Sequence, residues 1–208
     1  NAAGQAGKAV GDMRLTLAPF EAVPLRALAL KGRNINPGFF NPALPAADLS
    51  MSVTAQIDPK KAISGTVDIA NDGKVGPIDK QLLPLLSMRG RLGGNLSAMQ
   101  IDDVLLDMGA AGKFTGGGAV QRGVDDKGIG GAQFKLHTDR INLKALYSTM
   151  KATAIAGDIQ LTSAGDVQTL AAQLSERGMR LDAEATLANQ VLAIKRARLA
   201  AGSGHIEV

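Results

Sequence analysis

The chain has 208 residues, 45% of them hydrophobic, with 25 glycines, no Cys, no Trp and a formal charge of +4. That length holds one large domain or two small ones, and that apolar fraction excludes disorder by composition. Without Cys there is no disulfide or thiol chemistry, and no run of eighteen apolar residues is available to cross a bilayer as a helix.

The start of the chain lacks the basic-then-apolar pattern of a signal peptide. The last residues read as the middle of a strand, so the chain is expected to be a segment of a longer protein. Glycine is costly inside helices, at about 1 kcal/mol each, and its abundance argues for strands, bends and bulges.

Alternation of apolar and polar residues is the main signal, and period two marks a sheet with one sheltered face. Residues 48–57 show it most clearly. Leu49, Met51, Val53, Ala55 and Ile57 would face inward, while Ser50, Ser52, Thr54 and Gln56 face water. Asp58-Pro59-Lys60-Lys61 then reads as a turn. Ile63, Gly65, Val67 and Ile69 carry the inward face of the return strand. Residues 79–87 and 142–150 break the alternation and are expected to form short helices or turns packed on the sheet.

In 88–97 the inward positions are Met88, Leu92 and Leu96, followed by Met99 and Ile101. The phase slips at Asp102-Asp103, and Val104, Leu106 and Met108 then take the apolar side. One slipped residue is what a β-bulge produces. Phe114 and Val120 follow in a glycine-rich strand, and Asp125-Asp126-Lys127-Gly128 reads as a turn. Ala132, Phe134 and Leu136 alternate with Gln133, Lys135 and His137. Later strands are expected over 153–161, which holds Ile159 and Leu161, and over 167–174, 179–187, 190–199 and 205–208. In 179–187, Met179, Leu181 and Leu187 oppose Arg180, Asp182, Glu184 and Thr186. Residues 101–114 and 194–206 form a weak repeat of strand, glycine-containing turn and strand. No linker divides the chain, so residues 1–208 are expected to form one continuous all-β sheet.

The residues that could carry catalysis lack the spacing that chemistry needs. His137 and His205 lack ligand partners at matched spacing. Asp102-Asp103 would point to opposite faces of a strand, which unsuits them to paired acid–base work. Gly128-Ile129-Gly130-Gly131 lacks the spacing of a dinucleotide fingerprint. Ser163 and Ser203 sit in no nucleophile elbow. Lys195-Arg196-Ala197-Arg198 has no stacking aromatics nearby, so nucleic-acid binding is not expected and a charged strand edge is.

The order of softer motifs resembles a family. Asn34-Ile35-Asn36-Pro37-Gly38-Phe39-Phe40 leads through Pro42 and Pro45 into Asp48-Leu49-Ser50. Gly76-Pro77-Ile78-Asp79-Lys80-Gln81-Leu82-Leu83-Pro84-Leu85 and Arg89-Gly90-Arg91-Leu92 follow. This order is similar to the AsmA-like/TamB family of Gram-negative bacteria, and the likeness covers most of the chain. The resemblance implies a periplasmic body built as a half-open curved sheet, a β-taco, with an apolar inner groove. It also implies an N-terminal inner-membrane anchor outside these residues, no enzymatic activity and no cofactor. Implied cargoes are phospholipid acyl chains moving between the membranes, or nascent outer-membrane protein strands such as autotransporters, with TamA as the outer-membrane partner. The groove-lining residues would be Leu49, Met51, Val53, Ile57, Val67, Ile69, Leu92, Leu96, Ile101, Val104, Leu106, Phe114, Phe134, Leu136, Ile159, Leu161, Met179, Leu181 and Leu187.

Overall fold

The computed structural model describes residues 2–6, 9–20, 24–42, 44–95, 97–123, 129–189 and 191–207. Leu96 and the expected turn at 125–128 lie outside the described residues. Fourteen strands form one sheet in strict sequence order, each antiparallel to the next. They are β1 (Ala2–Ala6), β2 (Ala9–Leu17), β3 (Leu25–Ile35), β4 (Leu49–Ile57), β5 (Ala62–Asn71), β6 (Ser87–Asn95) and β7 (Ala98–Asp107). The second half holds β8 (Lys113–Arg122), β9 (Ile129–Ile141), β10 (Ile155–Ala164), β11 (Val167–Glu176), β12 (Met179–Ala188), β13 (Val191–Ala201) and β14 (Gly204–Glu207). The sheet stays open and does not close into a barrel, since β1 and β14 stand at opposite ends of the order.

Helix is confined to single turns: α1 (Pro37–Phe40), α2 (Leu143–Leu146) and the 3-10 turns at Ile78–Lys80 and Gly109–Ala111. Two of these fall where alternation fails in the sequence. The strands β1, β2 and β3, the turn α1 and the 3-10 turn at Gly109–Ala111 are additional to those expectations. Asn36 and Asn142 cap α1 and α2, each side chain accepting the backbone N–H two residues on.

Local chemistry explains the turns. Asp58 Oδ1 accepts the Ala62 N–H at 2.8 Å, and Lys61 takes a left-handed conformation with φ 69° to close the β4–β5 hairpin. The expected bulge is present. Register between β7 and β8 shifts from Ile101 to Val104, and Asp103 sits there with φ 50°. Asp103 ion-pairs with Arg91, the residue that stands across from Asp102 in the register, so the left-handed turn brings Asp103 to the polar face.

The protein is nearly a single layer. Its accessible surface is 13580 Å², against about 9,100 Å² for a compact monomer of 21.4 kDa. Among the described residues only Ile63, Val104, Ala111 and Ile141 are buried large or small hydrophobics. Stability must therefore come from strand pairing and half-burial more than from a sealed core.

Apart from Ile63, beside the β4–β5 hairpin, and Val104 within β7, what core there is gathers at one end. In a meander, connections after odd-numbered strands share one end of the sheet. The segments 36–48, 72–86, 108–112 and 142–154 all fall there. They are stitched together: Leu83 donates to the Ala46 carbonyl, Leu86 to Asp107, Asn142 to Ala111, and Ser148 uses both its N–H and its hydroxyl on Asp79. These two bonds from Ser148 hold the Asp79 carboxyl below the usual carboxylate range. Asn71, Thr138, Ala111 and Ile141, all buried, lie at this end.

Candidate functional site

Residues directly opposite each other in antiparallel pairs project from the same face. The register therefore sorts the whole sheet into cross-strand rows. One row runs Leu15, Leu28, Ala55, Gly65, Leu92, Ile101, Gly118, Phe134, Leu161, Leu170, Ala185 and Ile194. Every member from β2 to β13 is apolar or glycine. Eleven interstrand steps of about 4.8 Å make this row roughly 53 Å long.

Flanking rows widen it into a band. Met13, Leu30, Val53 and Val67 align on one side, as do Met51, Ile69, Met88, Leu106 and Phe114. Val104, Gly116, Leu136, Ile159, Ala172, Ala183 and Ala197 align farther along. Leu174, Leu181 and Leu199 form another short row. Leu49 shares its face with Met51, Ile57 opposes Ile63, and Leu187 opposes Leu192. Met179 shares the face of Leu181, two positions on. Each described inward position thus falls on one face. Sequence reading missed the share of β2 and β3, whose Met13, Leu15, Leu28 and Leu30 extend the band; their own alternation was the available signal.

The opposite face is polar by the same arithmetic. Asp12, Lys31, Ser52, Asp68, Arg89, Leu105, Thr115, His137, Asp158, Gln173, Asp182, Arg198 and Glu207 form one continuous row. Opposite charges stand across from each other in register at Asp12–Lys31, Asp68–Arg89, Asp182–Arg198 and Arg198–Glu207. Such cross-strand placement favours this register over one that sets like charges opposite. A one-residue slip would put these charges on the apolar band, so the row also fixes register. The basic run is part of it: Arg196 and Arg198 oppose Glu184 and Asp182, while Lys195 is the extra residue of a bulge.

The apolar face is the more sheltered on β5 and β9, whereas on β10 and β11 its Leu161 and Leu170 are exposed. On β5 and β9, Val67, Ile69, Ala132, Phe134 and Leu136 are half-buried, while Ser64, Thr66, Asp68, Gln133 and Lys135 are exposed. Among the described residues no second layer covers the band, so neighbouring side chains supply the shelter. Gly118 leaves room for the Phe134 ring, with which a Cβ would collide, and Ile101 lies 3.0 Å from where a Cβ of Gly90 would stand. Toward the β14 edge the band is barer: Leu192 and Ile194 are 68% and 65% exposed.

Concavities also open on the polar face. One of about 670 Å³ lies over the β7 bulge, between Arg89, Arg91, Asp68 and Thr115. Another of about 400 Å³ surrounds His137, Asp158, Lys135 and Gln173. Both are open spaces between long side chains. Among the described residues no group of three or more His, Cys, Asp or Glu is arranged to hold a metal ion.

His137 is half exposed but not simply solvated. Its Nδ1 lies 2.8 Å from Asp158 Oδ1 and its Nε2 3.2 Å from Asp139 Oδ1. The Asp158 bond first, then the Asp139 bond, raises the imidazole pKa above 6.5. A raised folded-state pKa adds stability that is complete below the unfolded value and fades as pH climbs through the folded one. His137→Gln is therefore expected to lower the melting temperature at pH 5 and to match the parent at pH 9. Thermal melts at the two pH values check this.

Compared with protein-family models, curated proteins and solved structures, the chain matches none.

Proposed function

We propose that the apolar band is a non-catalytic track for phospholipid acyl chains, in a periplasmic segment of a TamB-like protein that passes lipid between the inner and outer membranes. The observation that carries this reading is the unbroken apolar row across twelve strands. A row that only sealed a core would be covered by a second layer, and none of the described residues forms one over this row. Its aliphatic make-up suits acyl chains, and each CH₂ sheltered on it gains about 0.8 kcal/mol. Headgroups could stay in water beside so open a surface.

A photo-crosslinking amino acid at Met51 or Val53 is expected to capture phospholipid, and one at Ser52 or Thr54 is not. Equal capture on both faces would remove the basis for the track.

A second reading has its own supporting observation. β14 pairs only with residues 198–201 of β13, so the outer edge of 191–197 has no described strand partner. An incoming outer-membrane protein strand could add there through backbone hydrogen bonds, with TamA as the downstream partner. Capture of cargo strands by crosslinkers at Val191 or Ala193, with none at Val53, would favour this reading over lipid.

A further inference from the structure

Three connections at one end of the sheet, 36–48, 72–86 and 142–154, carry large apolar side chains that the band does not use. Phe39, Leu44, Ile78, Leu86, Tyr147 and Met150 are all exposed. The segments bearing them touch one another. Ala46 bridges Leu82, and Ser148 bonds Asp79, which ties 39–46 to 78–82 and 78–82 to 147–150. The exposed apolar groups therefore belong to one stitched layer and are not scattered singly over the surface.

The charges on the same segments are one-sided. Lys74, Lys80, Lys144 and Lys151 are exposed, and Asp72 is the one exposed acid on them among the described residues. Asp48 and Asp79 are half-buried, and both oxygens of Asp79 are occupied by Ser148. Apolar tips with lysines around them and acids drawn inward suit a surface that is negatively charged outside and apolar beneath.

We propose that this loop layer docks on the surface of an anionic lipid bilayer, with Ile78, Tyr147 and Met150 entering the interface and Lys80 and Lys151 meeting the headgroups. The proposal does not depend on the track reading, because the loop layer lies at the strand ends and the track runs across the strands.

Tyr147 is the single tyrosine of a chain without tryptophan, so ultraviolet fluorescence reports directly on the patch. The test uses the purified protein with vesicles of phosphatidylcholine and phosphatidylglycerol containing brominated acyl chains. Quenching of Tyr147 is expected with the anionic vesicles and much less with phosphatidylcholine alone. The double variant Lys80→Gln/Lys151→Gln should bind about 25-fold more weakly, roughly fivefold for each lysine. Ile78→Ser/Met150→Ser should lose quenching while keeping its β-sheet circular dichroism; if that variant unfolds, the lysine pair decides. Leu161→Arg, on the track, should quench like the parent. The proposal fails if anionic vesicles leave Tyr147 unquenched, or if quenching is the same on neutral vesicles. It also fails if the lysine variants bind normally. Concentration-dependent protection of Tyr147 without vesicles would assign the patch to a second copy of the chain instead.

Discussion

Val53→Arg and Leu161→Arg are expected to fold and to lose bound phospholipid. Both side chains sit on the apolar face, Leu161 in the long row and Val53 beside it. In a sealed core an unpaired guanidinium would cost several kcal/mol, comparable with the stability of a whole domain. Here Val53 is half-buried and Leu161 is 43% exposed. The long stem can lie along the band while its head reaches water, so the folding loss should be about 1–2 kcal/mol. Cargo is hit harder. A sixteen-carbon chain with half its length sheltered gains on the order of 6 kcal/mol before ordering costs. A hydrated charge in the middle leaves no stretch of that length. Bound phospholipid should fall at least tenfold, by about 1.4 kcal/mol or more of lost binding. Outright unfolding of both variants would mean the face is an ordinary core. Normal lipid content in folded variants would mean that the lipid lies elsewhere.

Asn71→Ala should be the most destabilising single change outside the strand backbones. Asn71 is 6% exposed, at an apolar-face position opposite Leu49. Its Oδ1 accepts N–H groups from Asp48 at 3.2 Å and Gly73 at 3.1 Å, and its Nδ2 donates to the Leu85 carbonyl at 3.0 Å. One side chain thus holds the entry to β4, the exit from β5 and the 83–86 segment together. Alanine leaves three backbone groups without partners, and each buried unsatisfied group costs about 1–3 kcal/mol. Allowing for water reaching part of the site, the loss should be about 2–4 kcal/mol, or roughly 10 °C in melting temperature for a chain of this size. Asn71→Asp keeps the acceptor and loses the donor, so it should fall between. Thermal melts of the two variants beside the parent check this order. An Asn71→Ala protein that melts within a degree or two of the parent would show that the loop layer is held by other contacts.

Much of the fold was legible because a one-layer sheet writes its pattern openly. Leu49 to Ile57 alternates without a break, and the register pairs it with Val67 and Ile69 as expected. The phase slip at Asp102-Asp103 located the bulge to the residue. What the sequence hid was of two kinds. Strands β2 and β3 were missed although Met13, Leu15, Leu28 and Leu30 alternate, since alanines at 27 and 29 blur the polar side. Long-range contacts had no sequence signal at all. Nothing local shows that Ser148 will reach Asp79, or that Asn71 will hold Leu85. The two carboxylate partners of His137 were equally hidden: Asp158 is brought to it by a register that composition does not reveal. The Arg91–Asp103 pair likewise depends on the left-handed backbone at Asp103, which turns a side chain that simple alternation would send to the other face.

Whether the long apolar row holds acyl chains is decided by native mass spectrometry of the gently purified protein. Adducts with phospholipid masses are expected on the parent, greatly reduced on Val53→Arg and Leu161→Arg. Parent protein that carries no phospholipid, even after incubation with vesicles, would contradict it.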